Sequence, residues 1–147
     1  MLKEKLQQEM KGALKSGDSK KRTLLGMILS SIKNKEIEKR TELTDEDVIT
    51  VISSEIKKRK DAVEQFEKGG RPELAEGERK EAEMLMTYMP EQMSEDEIRA
   101  EVKKTIEETE AKDIKEMGKL IGAVMAKIKG KADGQMVSRM AKEELSK

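Results

Sequence analysis

The sequence predicts an all-α fold, with an N-terminal bundle of about four helices (residues 1–91) and a small three-helix C-terminal domain (residues 94–147). Three observations carry this. Apolar residues recur at helical spacing along the chain, and no strand-like alternation or repeat period interrupts them. Helix-starting and helix-stopping residues bracket each such stretch. Between Tyr88 and Ser94 the pattern breaks: Pro90 disfavours helix at Met89, and Ser94 restarts one.

The elements follow in order. Leu2, Leu6, Met10 and Leu14 recur every fourth residue and predict a first helix over Leu2 to Lys15. Gly17 ends it and Asp18 caps the next. The second helix runs from Ser19 to Arg40, with Leu24, Leu25, Ile28, Leu29, Ile32 and Ile37 as its buried face. Its charge is lopsided, seven basic residues against two acidic ones from Lys20 to Arg40. Thr44-Asp45-Glu46-Asp47 opens the third helix, since the threonine hydroxyl accepts free N–H groups and the carboxylates suit the positive helix start. Val48, Val51, Ile52, Ile56, Val63 and Phe66 lie close to one face of it. Glu55 and Arg59 fall on that face one turn apart, which predicts an ion pair at the core margin. Gly69-Gly70 stops this helix, and Pro72 suits the first turn of a fourth, with Leu74, Ala75, Ala82, Leu85 and Met89 leading to Pro90.

In the C-terminal domain, Ser94-Glu95-Asp96-Glu97 forms a capping box before the narrow stripe Ile98, Val102 and Ile106. Asp113-Ile114-Lys115-Glu116 reads as a second box opening the sixth helix. The apolar face expected there is Ile114, Met117, Ile121, Val124, Met125 and Ile128, with Gly130 just past its end. Asp133 caps a short seventh helix carrying Met136, Val137, Met140 and Leu145.

Composition narrows function. Charged residues make up 42% of the chain and aromatics only Phe66 and Tyr88, so the core is thin and aliphatic, with eleven methionines as adaptable filler. No cysteine is present, which excludes disulfides and thiol chemistry, and no histidine, which removes the commonest general base and metal ligand. No phosphate-binding Gly-rich loop occurs. Glu78 with Glu81, or Glu107 with Glu108, have the spacing of acid/base pairs, but among 31 acids on helices such spacings arise by chance and read as solvated faces. An all-carboxylate metal site is equally unsupported. Lys57-Lys58-Arg59-Lys60 sits mid-helix and reads as surface. No apolar run approaches a membrane span, and the start of the chain lacks the apolar stretch of a signal peptide, so no membrane association, no cofactor, no metal and a cytoplasmic location are the expectations.

The sixth and seventh helices carry the sharpest local signal. With the expected face buried, Lys115, Lys119 and Lys127 project to the opposite side. Between the two lie Gly118, Gly122 and Ala126, a strip of small residues that allows either a protein helix or a sugar–phosphate backbone to come close. Lys129-Gly130-Lys131-Ala132-Asp133-Gly134 follows as a mobile basic turn. From Lys115 to Lys142 seven basic residues face two acidic ones, whereas from Ser94 to Asp113 four face eight, so this half is charge-polarised.

Several unlike motifs, in order along the chain, resemble the YqeY family, stand-alone relatives of the tail domain of the B subunit of tRNA-dependent amidotransferase. Tyr88-Met89-Pro90-Glu91-Gln92-Met93-Ser94 is similar to the family's Tyr-Leu-Pro-x-Gln-Leu-Ser, with Met for each Leu. Met117-Gly118-Lys119 through Lys129-Gly130-Lys131-Ala132-Asp133-Gly134 resembles its most characteristic stretch. Lys58-x-Lys60-Asp61 and Gly70-Arg71-x-Glu73-Leu74 fit as well. The resemblance implies a helical N-terminal part and a three-helix C-terminal part. In the amidotransferase the related tail helps hold the tRNA, while the chemistry occurs elsewhere. The kinase and glutaminase centres of that enzyme have no counterpart here, so a label of glutamine-dependent carbon–nitrogen ligase would be inherited from the parent.

The leading expectation is therefore a non-catalytic accessory module binding tRNA or another structured RNA. The residues assigned to it are Lys115, Lys119, Lys127, Lys129 and Lys131, with Gly118, Gly122, Gly130 and Gly134 permitting close approach. With two aromatics in the chain, such binding must act through phosphates, sugars and shape rather than base stacking. The alternative is a helical protein–protein adaptor, which an exposed groove of Met84, Met86, Met89 and Met93 would favour. An enzyme is the weakest reading.

Overall fold

Polar caps set most of the helix starts. The structure, a computed structural model describing residues 1–147, contains seven α-helices and no strand. The chain divides into two compact units, Met1–Met89 and Pro90–Lys147, set against the expected 1–91 and 94–147.

The first unit holds α1 (Leu2–Ser16), α2 (Ser19–Lys39), α3 (Asp45–Lys68) and α4 (Pro72–Met86). The Asp18 carboxylate accepts from the Lys21 N–H at 3.1 Å and starts α2. Thr44 and Asp47 form a reciprocal box at the start of α3, at 3.2 and 3.1 Å. Backbone and hydroxyl hydrogen bonds from Thr44 hold the Asp47 carboxyl below its usual range. Gly70, at φ 72°, supplies the left-handed residue that lets the Arg71 N–H return to the Phe66 carbonyl at 2.8 Å, and Pro72 then opens α4. α3 and α4 thus form a long antiparallel hairpin, with α1 and α2 packed at its base.

The core of this unit is aliphatic: Leu6, Leu24, Leu25, Ile28, Ile32, Val48, Val51, Ile52, Ile56 and Leu85, closed by Tyr88. Its edge is tied by Glu36, which accepts from Lys3 Nζ at 2.8 Å and from the Leu43 N–H at 3.0 Å. Three expected core residues lie outside it. Leu14 is 59% exposed, because a four-residue step overshoots a helical turn by about 40° and three steps carry it well off the stripe. Ala13, seven residues from Leu6, takes the buried place instead. Ile37 lies about half a turn from Ile28 and is exposed, as is Leu74 in the first turn of α4. Val63 and Phe66, in the outer half of the hairpin, are only half-buried.

In the outer part of the hairpin a charge is buried. The Arg59 side chain, 7% exposed, donates to Glu55 Oε2 at 2.7 Å, to the Glu55 carbonyl at 3.1 Å and to Glu81 Oε2 at 3.1 Å. The expected Glu55–Arg59 pair is present and extends across to α4. Glu81 is thereby an ion-pair partner, and Arg59 is not the surface residue that the run Lys57–Lys60 suggests.

The second unit holds α5 (Glu95–Thr109), a single 3-10 turn (Ile114–Glu116), α6 (Met117–Ile128) and α7 (Gly134–Leu145). Its core gathers Ile98, Val102, Leu120, Val124, Ile128, Ala132, Val137, Met140 and Ala141. Ser94 and Glu97 form the capping box of α5 at 3.2 Å in each direction. Asp133 starts α7 by accepting from the Gln135 N–H at 2.8 Å. No helix of the chain is long and apolar enough to cross a membrane.

Candidate nucleic-acid interface

The geometry of α6 differs from expectation at its start. Asp113 accepts from the Lys115 N–H at 2.9 Å, but Glu116 turns to the Lys112 N–H at 2.6 Å, so no reciprocal box forms. The segment Ile114–Glu116 stays in a tighter 3-10 turn, and α6 begins only at Met117. Ile114 is consequently out of register with the helix and 52% exposed. The buried stripe is Leu120, Val124 and Ile128, flanked by half-buried Met117, Ile121 and Met125. Leu120, fully buried, was not among the expected face.

This rotation of the face reassigns one lysine. Lys127 lies seven residues from Leu120, within about 20° of it around the helix, and so stands at the α5 side of the buried stripe rather than projecting with Lys119. It donates to Thr105 Oγ1 at 3.2 Å, lies 3.4 Å from Glu101 Oε1, and pairs with Glu108. The hydrogen bond to Glu108 raises the Lys127 pKa and lowers that of Glu108. The expectation that Lys127 shares the polar face with Lys115 and Lys119 is therefore corrected: it is a clasp between α6 and α5. The same arrangement takes Glu108 out of any acid/base pair with Glu107.

The other lysines are placed differently. Lys115 stands in the 3-10 turn, Lys119 on the outer side of α6, and Lys131 in the α6–α7 turn; all three are exposed and form no ion pair. Lys129 is exposed at the C-cap of α6, with a left-handed backbone at φ 41°. Between these positions the helix surface is bare. Gly118 and Gly122 are exposed, and a Cβ on either would meet nothing within 4 Å. The small-residue strip is therefore not consumed by helix packing within its own unit. Gly134 differs: a Cβ there would touch Met125 Cε at 3.9 Å, so it serves the α6–α7 contact.

Hydrogen bonds tie the basic turn to the segment that precedes α5. Gln92 Nε2 donates to the Gly130 carbonyl at 3.0 Å and to the Pro90 carbonyl at 2.8 Å. The Met93 N–H donates to the Lys131 carbonyl at 2.8 Å. Gly130, at φ 84°, follows Lys129 as a second left-handed residue, a bend that only glycine makes without strain. The segment Pro90–Met93 thus lies along this turn and fixes where Lys129 and Lys131 stand. Gln92 and Gly130 are 38 residues apart, and no local spacing points to the pair.

Electrostatics follow from the pairing. Lys127 engages Glu101 and Glu108, while Arg99 binds Glu143 at 2.9 Å and Glu144 at 2.8 Å. Much of the acidic side of the unit is neutralised internally, and α6 itself carries no acidic residue. What remains on the outer side of α6 is cationic around a flat apolar strip. The arrangement offers cations and close approach. No group of three or more acidic side chains converges where a metal ion could be held. Met84, Met86 and Met89 pack half-buried on the core of the first unit, and Met93 on that of the second.

Comparison with known proteins agrees with these motifs. The family model described as Yqey-like protein matches residues 3–145. The chain belongs to the YqeY family. A relative from Kluyveromyces lactis, "Altered inheritance of mitochondria protein 41, mitochondrial", is 37% identical over 84 residues, covering 56% of this chain and 45% of that protein. A protein of the same name from Pyrenophora tritici-repentis is 29% identical over 142 residues, 95% of this chain and 78% of its own. An uncharacterized protein of Schizosaccharomyces pombe is 34% identical over 89 residues, 60% of this chain and 72% of its own. The chain spans about half the length of some curated relatives it matches, 45% of the Kluyveromyces lactis protein and 46% of a protein of the same name from Eremothecium gossypii.

Proposed function

We propose that this chain is an accessory module without a catalytic centre, and that the outer side of α6 binds tRNA or another structured RNA. The observation that carries this reading is the open strip Gly118, Gly122 and Ala126, bracketed by Lys115, Lys119 and Lys131, which no acid of the chain engages. Phosphates approach a helix closely only where side chains are short, and each lysine that displaces a condensed counterion adds affinity and salt dependence. The resemblance to the amidotransferase tail, which helps hold tRNA, supports the same surface. Asp133 occupies the positive start of α7, where an anion would otherwise sit, so the contact is shallow and shape-based. The proposed location is the cytoplasm; the word "mitochondrial" in the fungal names describes those proteins.

A tRNA titration of the full chain at several salt concentrations tests this. Three to four lysine contacts give a log–log salt slope of about −3, and hence roughly 60-fold weaker binding as salt rises from about 50 to 200 mM. The variant Lys119→Glu/Lys131→Glu should weaken binding and flatten the slope by about 2. Reversal at Lys20 and Lys35, in the other unit, should change neither. Absence of binding at low salt, or equal loss in both variants, defeats the assignment.

A further inference from the structure

The first unit carries a second surface that the RNA reading does not use. α1 and α2 leave a shallow trough of about 360 Å³ between them, lined by Met10, Lys11, Leu14, Arg22, Thr23 and Gly26. Its floor is low because Gly26 has no side chain: a Cβ there would lie 3.8 Å from Met10 Sδ. Its wall keeps a large apolar group in water, since Leu14 is 59% exposed; beyond the lining, Met27 follows Thr23 by one turn on α2 and is 52% exposed.

The charge around it has one sign. From Lys11 to Lys35 there are seven basic residues and a single acid, Asp18. Asp18 is committed to capping α2, and Lys21 to Glu9 at 3.4 Å. Lys11 and Arg22, which line the trough, form no ion pair. Lys33 falls on the same stripe of α2 as Arg22, eleven residues or about three turns further on, and is likewise unpaired.

We propose that this trough docks an acidic amphipathic helix of a partner protein. An apolar trough between two antiparallel helices is shaped for the i, i+3/i+4 side chains of a third helix. The cations at its rim complement acids flanking that stripe, and the methionines adapt to the seated side chains. A phosphate backbone would use the cations but gain nothing from Leu14, Met27 and the floor over Gly26. The proposal is independent of the RNA reading, which concerns α6.

The probe is a synthetic helical peptide of about 18 residues with Leu at i, i+3, i+4 and i+7 positions and Glu on the polar face. Its control keeps every Leu and replaces Glu by Lys. Titration into the full chain, read by amide NMR and by fluorescence anisotropy, should shift the Gly26 amide and favour the Glu peptide at least tenfold. Leu14→Glu, and separately Lys11→Glu/Arg22→Glu, should each weaken it at least tenfold, with helix content and melting unchanged because all three side chains lie at the surface. Gly26→Ala, which raises the floor within ordinary contact distance, should weaken the peptide while keeping or raising the melting temperature. The proposal is overturned if the Glu peptide does not bind, if it binds these variants as tightly as wild type, or if tRNA rather than the peptide shifts Gly26.

Discussion

Replacing Arg59 by Met removes the buried guanidinium and keeps most of the aliphatic stem. The magnitude follows from what is left behind. Glu55, 16% exposed, loses its 2.7 Å partner and retains only Lys58 at 3.4 Å, which is 70% exposed. Glu81 is 42% exposed and turns to water at little cost. Breaking a fully buried pair costs about 3–5 kcal/mol; with Lys58 and partial exposure discounting it, about 2–3 kcal/mol is expected at neutral pH. The loss depends on pH in a defined direction. Burial pushes the Glu55 carboxyl up, but hydrogen bonds from Arg59 and Lys58 and their charges outweigh it and leave the pKa below its ordinary 4.5. A lowered carboxyl stabilises the fold above its unfolded pKa, and this is lost as pH falls through the folded value. Without Arg59, burial dominates and the same group destabilises as it ionises. The gap between wild type and variant is therefore largest at neutral pH and shrinks below about pH 4. Tyr88 is the one tyrosine in a chain without tryptophan, so tyrosine fluorescence in urea reports this unit selectively. The double variant Arg59→Met/Glu55→Leu removes both charges and should recover most of the loss. A loss under about 0.5 kcal/mol, or one that neither the second substitution nor acid reduces, refutes the reasoning.

Tyr88→Phe removes the 2.8 Å hydrogen bond to Glu9 Oε1, whose other oxygen is already buried without a partner, and should cost about 1–2 kcal/mol by urea unfolding. Burial, with the Glu9 hydrogen bond and charge, raises the Tyr88 pKa; tyrosinate absorbance should therefore stay flat through pH 10 in the folded chain and step up on unfolding. Leu120→Ala should cost about 2–5 kcal/mol in the C-terminal unit, lowering its far-UV transition while the Tyr88 signal keeps its midpoint; a coincident drop in both would show shared unfolding. The purified chain, incubated with glutamine, ATP and misacylated tRNA, should give no transamidation, and turnover that disappears on depleting the chain would contradict this.

Legibility followed the range of each signal. Helix starts at Asp18, Thr44, Ser94 and Asp133, and stops at Gly17 and Gly69-Gly70, rest on hydrogen bonds spanning a few residues, and the pattern carries them directly. Facing is harder. A four-residue stripe drifts around the helix, which placed Leu14 inside and left Ala13 out. The expected face of α6 omits Leu120, and with it the side of the wheel on which Lys127 stands; the 3-10 turn that leaves Ile114 exposed depends on Glu116 choosing the Lys112 N–H. The Gln92–Gly130 tie and the reach of Arg59 to Glu81 join residues 38 and 22 apart, and no local pattern encodes such pairs.

The central claim, that RNA is held on the outer side of α6, meets its most direct test in the glycine amides. The chain has ten glycines: 12, 17, 26, 69, 70 and 77 in the first unit, and 118, 122, 130 and 134 in the second. In a tRNA titration followed by amide NMR, Gly118, Gly122 and Gly130 should shift together, with the six of the first unit unchanged. Shifts confined to the first unit, or none at tRNA concentrations where anisotropy reports binding, would contradict the account.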